Sequence, residues 1–217
     1  DLLKVFKDES TSYDEWYSKP LGAHVLYSEL NALEVFLPKE GIGIDLGAGT
    51  GIFSEKLSTP DRDVVSLDPS PDMLEKAVKR DMPSIIGLGE NLPIRDNCMD
   101  FVYMVTVLEF LSKPFKTLES VNLTLKRDAP LVILFINKDS AWGEYYEKLA
   151  DEGHPIFAHA HFYSLDDMRN LLNQSGYQLE NSKGTLTIMP EEHGYDYELV
   201  PVNTGTGVII VKATPET

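Results

Sequence analysis

The sequence predicts an α/β protein: a doubly wound, mostly parallel seven-stranded sheet, its last strand antiparallel, with helices on both faces. Three observations predict it. From Gly41 to Asn137, short apolar runs alternate with segments of helical spacing, the order of repeated β-α units. The run "APLVILFIN" (129–137) is almost continuously apolar, as a strand covered on both faces must be. After the helical segment "SLDDMRNLL" (164–172), two strand-like stretches follow with little helix between them, which lets the final strand return antiparallel.

The elements follow in order. Residues 11–36 hold two helices around Pro20 and Gly22, the second within "AHVLYSELNALEVFL". "GIGIDL" is a strand, "IFSEKLS" a helix and "DVVSLD" a strand. "SPDMLEKAVKR" is a helix capped by Ser70 with Pro71 at its first position. "SIIGL" and "MDFVYMVTV" are strands, and "PFKTLESVNLTLKR" is a helix. Ser164 and Asp167 form a capping box before the next helix. "YQLENSKGTLTIM" and "ELVPVNTGTGVIIVKA" are the last two strands. One domain over residues 1–217 is expected: helical lid 1–38, cofactor-binding core 40–137, acceptor-side insertion 138–163, and C-terminal helix and strands 164–217.

The chain has 19 Lys and Arg against 35 Asp and Glu, a net charge of −16. A protein that grips phosphate backbones needs the opposite balance, so nucleic acid and anionic membranes are not expected partners. No apolar run approaches the ~20 residues of a membrane span. The single cysteine, Cys98, excludes an internal disulfide and reads as a packing residue. A cytoplasmic monomer or homodimer is expected.

The stretch "GIGIDLGAGTG" places five glycines in eleven residues directly after a strand. Glycine permits positive φ and lets a ligand touch backbone, and the following helix start offers free N–H groups. A dinucleotide site wants G-x-G-x-x-G, but its third glycine position holds Ile52, and an acid, Asp45, precedes the first glycine. No Gly-Lys-Ser/Thr follows, which excludes a P-loop.

"DLGAGTG" resembles the first motif of the Rossmann-like, S-adenosylmethionine-dependent methyltransferases, an acid followed by G-x-G-x-G. "VVSLDPSPDMLEKA" resembles their second motif, whose terminal acid, here Asp68, holds the ribose hydroxyls. "GLGENLPIRDNCMDFVYMVTVLEFL" is similar to the next motifs of the small-molecule group typified by ubiquinone and menaquinone biosynthesis. Leu88 stands where that group carries an adenine-contacting Asp, while Gly89 and Glu90 keep the next positions. The resemblance implies S-adenosylmethionine as cofactor and S-adenosylhomocysteine as product. It implies cofactor contacts from Asp45, Gly47, Ala48, Gly49, Asp68, Pro69, Gly89, Glu90, Val105 and Thr106. The segment "YDEWYSKPLG" resembles an N-terminal feature of these enzymes, and places Tyr13 and Trp16 over the cofactor as an aromatic lid. The same aromatics also read as ordinary packing.

Methyl transfer is an in-line displacement for which the protein mainly aligns two partners and excludes water. A base helps when the acceptor is a hydroxyl or a protonated amine. The candidates are Glu109, just past the fourth strand, and His159 and His161 in "GHPIFAHAHFYS", which face one side if that segment is a strand. His24, His154 and His193 complete the histidines, and no ligand spacing supports a metal. Trp142, Tyr145 and Tyr146 are read as an aromatic wall or as helix packing. The expected activity is methyl transfer to a small molecule. The alternatives are an NAD-type oxidoreductase and a non-catalytic module that binds S-adenosylmethionine.

Overall fold

The computed structural model describes residues 5–6, 13–189, 192 and 198–216. Its strands are β1 (Gly41–Leu46), β2 (Arg62–Asp68), β3 (Ser84–Ile86), β4 (Phe101–Val105), β5 (Leu131–Ile136), β6 (Tyr177–Thr185) and β7 (Val208–Pro215). They form one seven-stranded sheet in the order β3-β2-β1-β4-β5-β7-β6. Strands β1 to β5 pair parallel, and β7 lies antiparallel between β5 and β6. The helices are α1 (Pro20–Phe36), α2 (Ile52–Leu57), α3 (Pro71–Lys79), α4 (Pro114–Thr124), α5 (Ala141–Asp151) and α6 (Leu165–Gln174). No helix among the described residues is long and apolar enough to cross a membrane.

Alternation along β5 shows how the sheet builds two cores. Val132 and Leu134 pack with Leu33, Phe53 and Leu74 from α1, α2 and α3. Leu131, Ile133 and Phe135 pack with Leu118 and Leu171 from α4 and α6. All six β5 side chains are buried, which is why its sequence shows no polar face.

Caps act where the sequence places them. The Ser70 hydroxyl accepts from the Met73 N–H at the start of α3, and the Ser164–Asp167 capping box opens α6. Three local expectations change. Gly22 lies inside α1, because the break falls at Lys19 and Pro20 opens the helix; a Cβ on Gly22 would sit 2.0 Å from the Trp16 carbonyl oxygen. The last strand starts only at Val208. Before it, the Asn137 amide donates to the Asn203 and Thr206 carbonyls and holds a loop instead. Residues 157–159 form a 3-10 turn, so His159 and His161 do not share a strand face.

Strand order reverses about β1, which lies between β2 and β4. That reversal opens a crevice at the carboxyl ends of β1 and β4, the place where open α/β sheets bind ligands.

Candidate active site

The chain leaves β1 through Gly47, Gly49 and Gly51, all at positive φ. The Gly47 and Ala48 N–H groups both donate to the Leu67 carbonyl, at 2.7 and 3.1 Å, and tie the turn to the end of β2. Asp68 ends β2 and organises the cradle. One carboxylate oxygen accepts from the Gly49 N–H at 2.9 Å, and the other from the Ser70 N–H at 2.8 Å. Burial raises its pKa, and these two bonds partly offset the rise.

Asp45 faces elsewhere. Its carboxylate accepts from the Ser54 hydroxyl at 2.7 Å, and Ser54 accepts in turn from Ser66. Burial pushes its pKa up to about 7. It braces the glycine turn against α2 from below.

A cavity of about 340 Å³ lies over this turn. Its polar rim is Gly47, Gly49, Asp68, Gly89, Glu90 and Thr106; Pro69, Met73, Leu88 and Leu111 give it apolar walls. A Cβ on Gly49 would meet nothing within 4 Å, so the backbone there faces open space. Val105 and Thr106 close the cavity at the end of β4. Thr106 holds φ at +48°, unusual for a β-branched residue and an instance of strain at a binding crevice.

This cradle fits S-adenosylmethionine. Each Asp68 oxygen has a second lone pair beyond its backbone bond, which suits a vicinal diol. The apolar walls suit a base, and the acidic rim suits a sulfonium cation.

A second cavity, of about 510 Å³, adjoins the first. Phe6, Tyr13, Thr106 and Phe110 line both. Its own walls combine the aromatics Trp16, Tyr17, Tyr145, Tyr146 and Phe157 with aliphatic side chains. Tyr146 and Phe157 pack with ring centroids 4.5 Å apart. Trp142 stays in the core behind them, its indole N–H bonded to the Ile188 carbonyl at 3.0 Å.

Among the expected base candidates, Glu109 is fully buried but lines neither cavity. One of its carboxylate oxygens accepts from the Ile136 N–H at 2.8 Å, and the other has no hydrogen-bond partner among the described residues. Burial raises its pKa to about 7. His159 and His161 are exposed and outside both linings; the His161 N–H bonds the Glu109 carbonyl. His154 does line the aromatic cavity, and its ring packs on Phe157. His24 is buried in α1, and His193 lies outside the described residues.

The residue that sequence reasoning missed is Glu29. It lies in α1, 2% exposed, and lines the aromatic cavity. A signal was available. Val25, Glu29, Ala32, Leu33 and Phe36 are all buried on α1, so an acid occupies a position in an apolar stripe. Burial, reinforced by Glu109, pushes the Glu29 pKa up to about 8.

Stability should respond to these acids. Glu29, Glu109 and Asp45 all have folded pKa values above their ordinary ones, at about 8, 7 and 7. Their neutral forms fit the fold, so their contribution is complete below the ordinary carboxylate range and is lost as pH rises through 7 to 8. The melting temperature of the free protein is expected to fall between pH 6 and 9, and the Glu29→Gln variant to flatten that fall. A melting temperature that stays constant over that interval in the parent protein contradicts the assignment.

The helical turn over residues 13–18 is tied to the glycine turn. Asp14 accepts from the Thr50 hydroxyl at 2.6 Å and from the Arg80 guanidinium at 2.8 Å. Arg80 also donates to the Thr50 carbonyl at 3.1 Å. Tyr13, one residue before this latch, lines both cavities. Asp14→Ala is expected to weaken S-adenosylhomocysteine binding by about 1 kcal/mol and to speed hydrogen exchange over residues 13–18. Exchange as slow as in the parent protein would show that the latch does not hold the turn.

Comparison with known proteins agrees with this geometry. A family model for a methyltransferase domain matches residues 18–182. An uncharacterised protein of Methanocaldococcus jannaschii is 33% identical over 206 residues, covering 94% of this chain and 95% of that one. Another, from Mycobacterium tuberculosis, is 28% identical over 214 residues, covering 96% of this chain and 73% of that one. A solved Thermotoga maritima structure, described as an S-adenosylmethionine-dependent methyltransferase and possible histamine N-methyltransferase, superposes with a TM-score of 0.87 at 27% identity. It covers 99% of both chains. A strand order that reverses over a glycine cradle, an acid at the end of the second strand and these relatives converge. The chain belongs to the S-adenosylmethionine-dependent methyltransferases.

Proposed function

We propose that this methyltransferase acts on a small molecule held in the aromatic cavity. One observation carries the reading: the cofactor cradle and the aromatic cavity adjoin and share Tyr13, Thr106 and Phe110. Donor and acceptor would meet at those residues. The acceptor cavity is bounded by α1, α5 and the turn over residues 13–18, which leaves space of small-molecule size.

The cradle residues would divide the cofactor between them. Asp68 would accept from the ribose hydroxyls. The backbone of Gly47, Ala48 and Gly49 would lie against the amino-acid part, and Gly89, Glu90 and Leu88 would bound the base. Asp45 acts indirectly, by bracing the turn through Ser54. Tyr13 covers the junction, whereas Trp16 belongs to the acceptor wall. Held in this cradle, S-adenosylmethionine would supply an electrophilic methyl group to the lone pair of an acceptor in the adjoining cavity. The protein aligns the acceptor with that methyl and keeps water out with aromatic walls. Glu109 and the exposed His159 and His161 sit behind or beside these walls.

Thermal unfolding with S-adenosylmethionine, S-adenosylhomocysteine or NAD added separately tests the reading. A ligand at 100 times its Kd stabilises by about 2.7 kcal/mol, a shift of roughly 5–10 °C. Shifts with both adenosyl ligands and none with NAD are expected; a shift with NAD alone would overturn the assignment. Formation of S-adenosylhomocysteine with small acceptors then separates an enzyme from a binding module.

A further inference from the structure

Glu29 is a buried carboxyl in a chamber walled mostly by aliphatic and aromatic side chains. It lines the aromatic cavity at 2% exposure and has no hydrogen-bond or ion-pair partner among the described residues. Tyr13 and Tyr17 from the turn over residues 13–18 and Tyr146 from α5 share its cavity, and Glu109, behind the cavity wall, is close enough to feel its charge. None of them is a cation. Lys19 and His154 also line the cavity, but neither pairs with Glu29. A carboxyl buried without a partner is costly in its charged form, so it stays neutral until a cation pairs with it.

The chamber itself indicates what that partner is. Aromatic faces attract cations, and a carboxylate at the end of an aromatic box completes a site for an ammonium group. The volume of about 510 Å³ leaves room for a bicyclic ring with a short chain. A neutral alcohol would leave the carboxyl with only a weak partner.

Resting on the methyltransferase reading above, we propose that the acceptor is an aryl- or alkylamine bound as its ammonium, and that Glu29 anchors its nitrogen and takes its proton. In that step an N–H bond of the ammonium breaks, its electron pair stays on nitrogen as the lone pair that attacks, and the proton forms an O–H bond on the Glu29 carboxylate. A carboxyl whose burial already favours its neutral form accepts that proton more readily than an exposed one.

The test is calorimetric binding of tryptamine and 2-phenylethylamine against their alcohol counterparts, tryptophol and 2-phenylethanol. Each is titrated into the full chain with and without S-adenosylhomocysteine. The amines are expected to bind at least about tenfold tighter than the alcohols. Glu29→Gln should reduce that preference to below about twofold while leaving S-adenosylhomocysteine affinity unchanged. Equal binding of amine and alcohol, or binding of neither, by protein that binds S-adenosylhomocysteine overturns the proposal. So does a preference retained in Glu29→Gln. If that variant fails to fold, the amine–alcohol comparison on the parent protein decides alone. An amine preference without any S-adenosylhomocysteine binding would instead mean that the cofactor reading has failed.

Discussion

Replacing Asp68 with alanine is expected to weaken S-adenosylhomocysteine binding by about 1–3 kcal/mol, or roughly 5- to 150-fold. Two losses combine. The ribose hydroxyls lose their charged acceptor, and the Gly49 and Ser70 N–H groups lose the oxygens that hold them at 2.9 and 2.8 Å. The second loss also lets the glycine turn move away from the geometry that binds the cofactor. Calorimetry measures the affinity, and unfolding of the free protein measures the turn. Unchanged affinity would mean that the ribose lies elsewhere.

Gly47→Val is expected to destabilise the free protein by about 3–5 kcal/mol, lowering its melting temperature by about 10 °C. Gly47 has φ of +78°, which a β-branched residue adopts only with strain. Its new Cβ would also lie 2.4 Å from a Val107 methyl. Gly49 provides the contrast. It too has positive φ, but a Cβ there meets nothing. Gly49→Ala is therefore expected to cost only the backbone term, about 1–2 kcal/mol, while its methyl occupies the cradle and lowers S-adenosylhomocysteine affinity more than tenfold. Equal melting temperatures for the two variants would refute the packing argument; normal affinity in Gly49→Ala would refute the placement of the cofactor.

Most of the sheet was legible because its signals are local. Near-continuous apolar runs, a Ser-Pro helix start, a capping box and a glycine turn each depend on residues close in sequence. The misreadings were of a different kind. Gly22 looks like a helix break, yet the break falls at Lys19 and Gly22 lies within α1, where its missing Cβ lets the Trp16 carbonyl approach. His159 and His161 look like a pair, yet a 3-10 turn leaves both exposed. Asp45 and Asp68 both look like ligand acids, and only the second lines the cavity. Their difference lies in which partner each finds: Ser54 below the turn for Asp45, the Gly49 backbone at its rim for Asp68.

The strand–turn–helix order, the glycines after β1 and the acid at the end of β2 are set by neighbouring residues, because turn conformation and apolar runs are local properties of the chain. The tertiary structure alone placed Glu29 in the wall of the aromatic cavity. Glu29 becomes a cavity residue only when α1, α5 and the turn over residues 13–18 close around it, segments far apart in sequence.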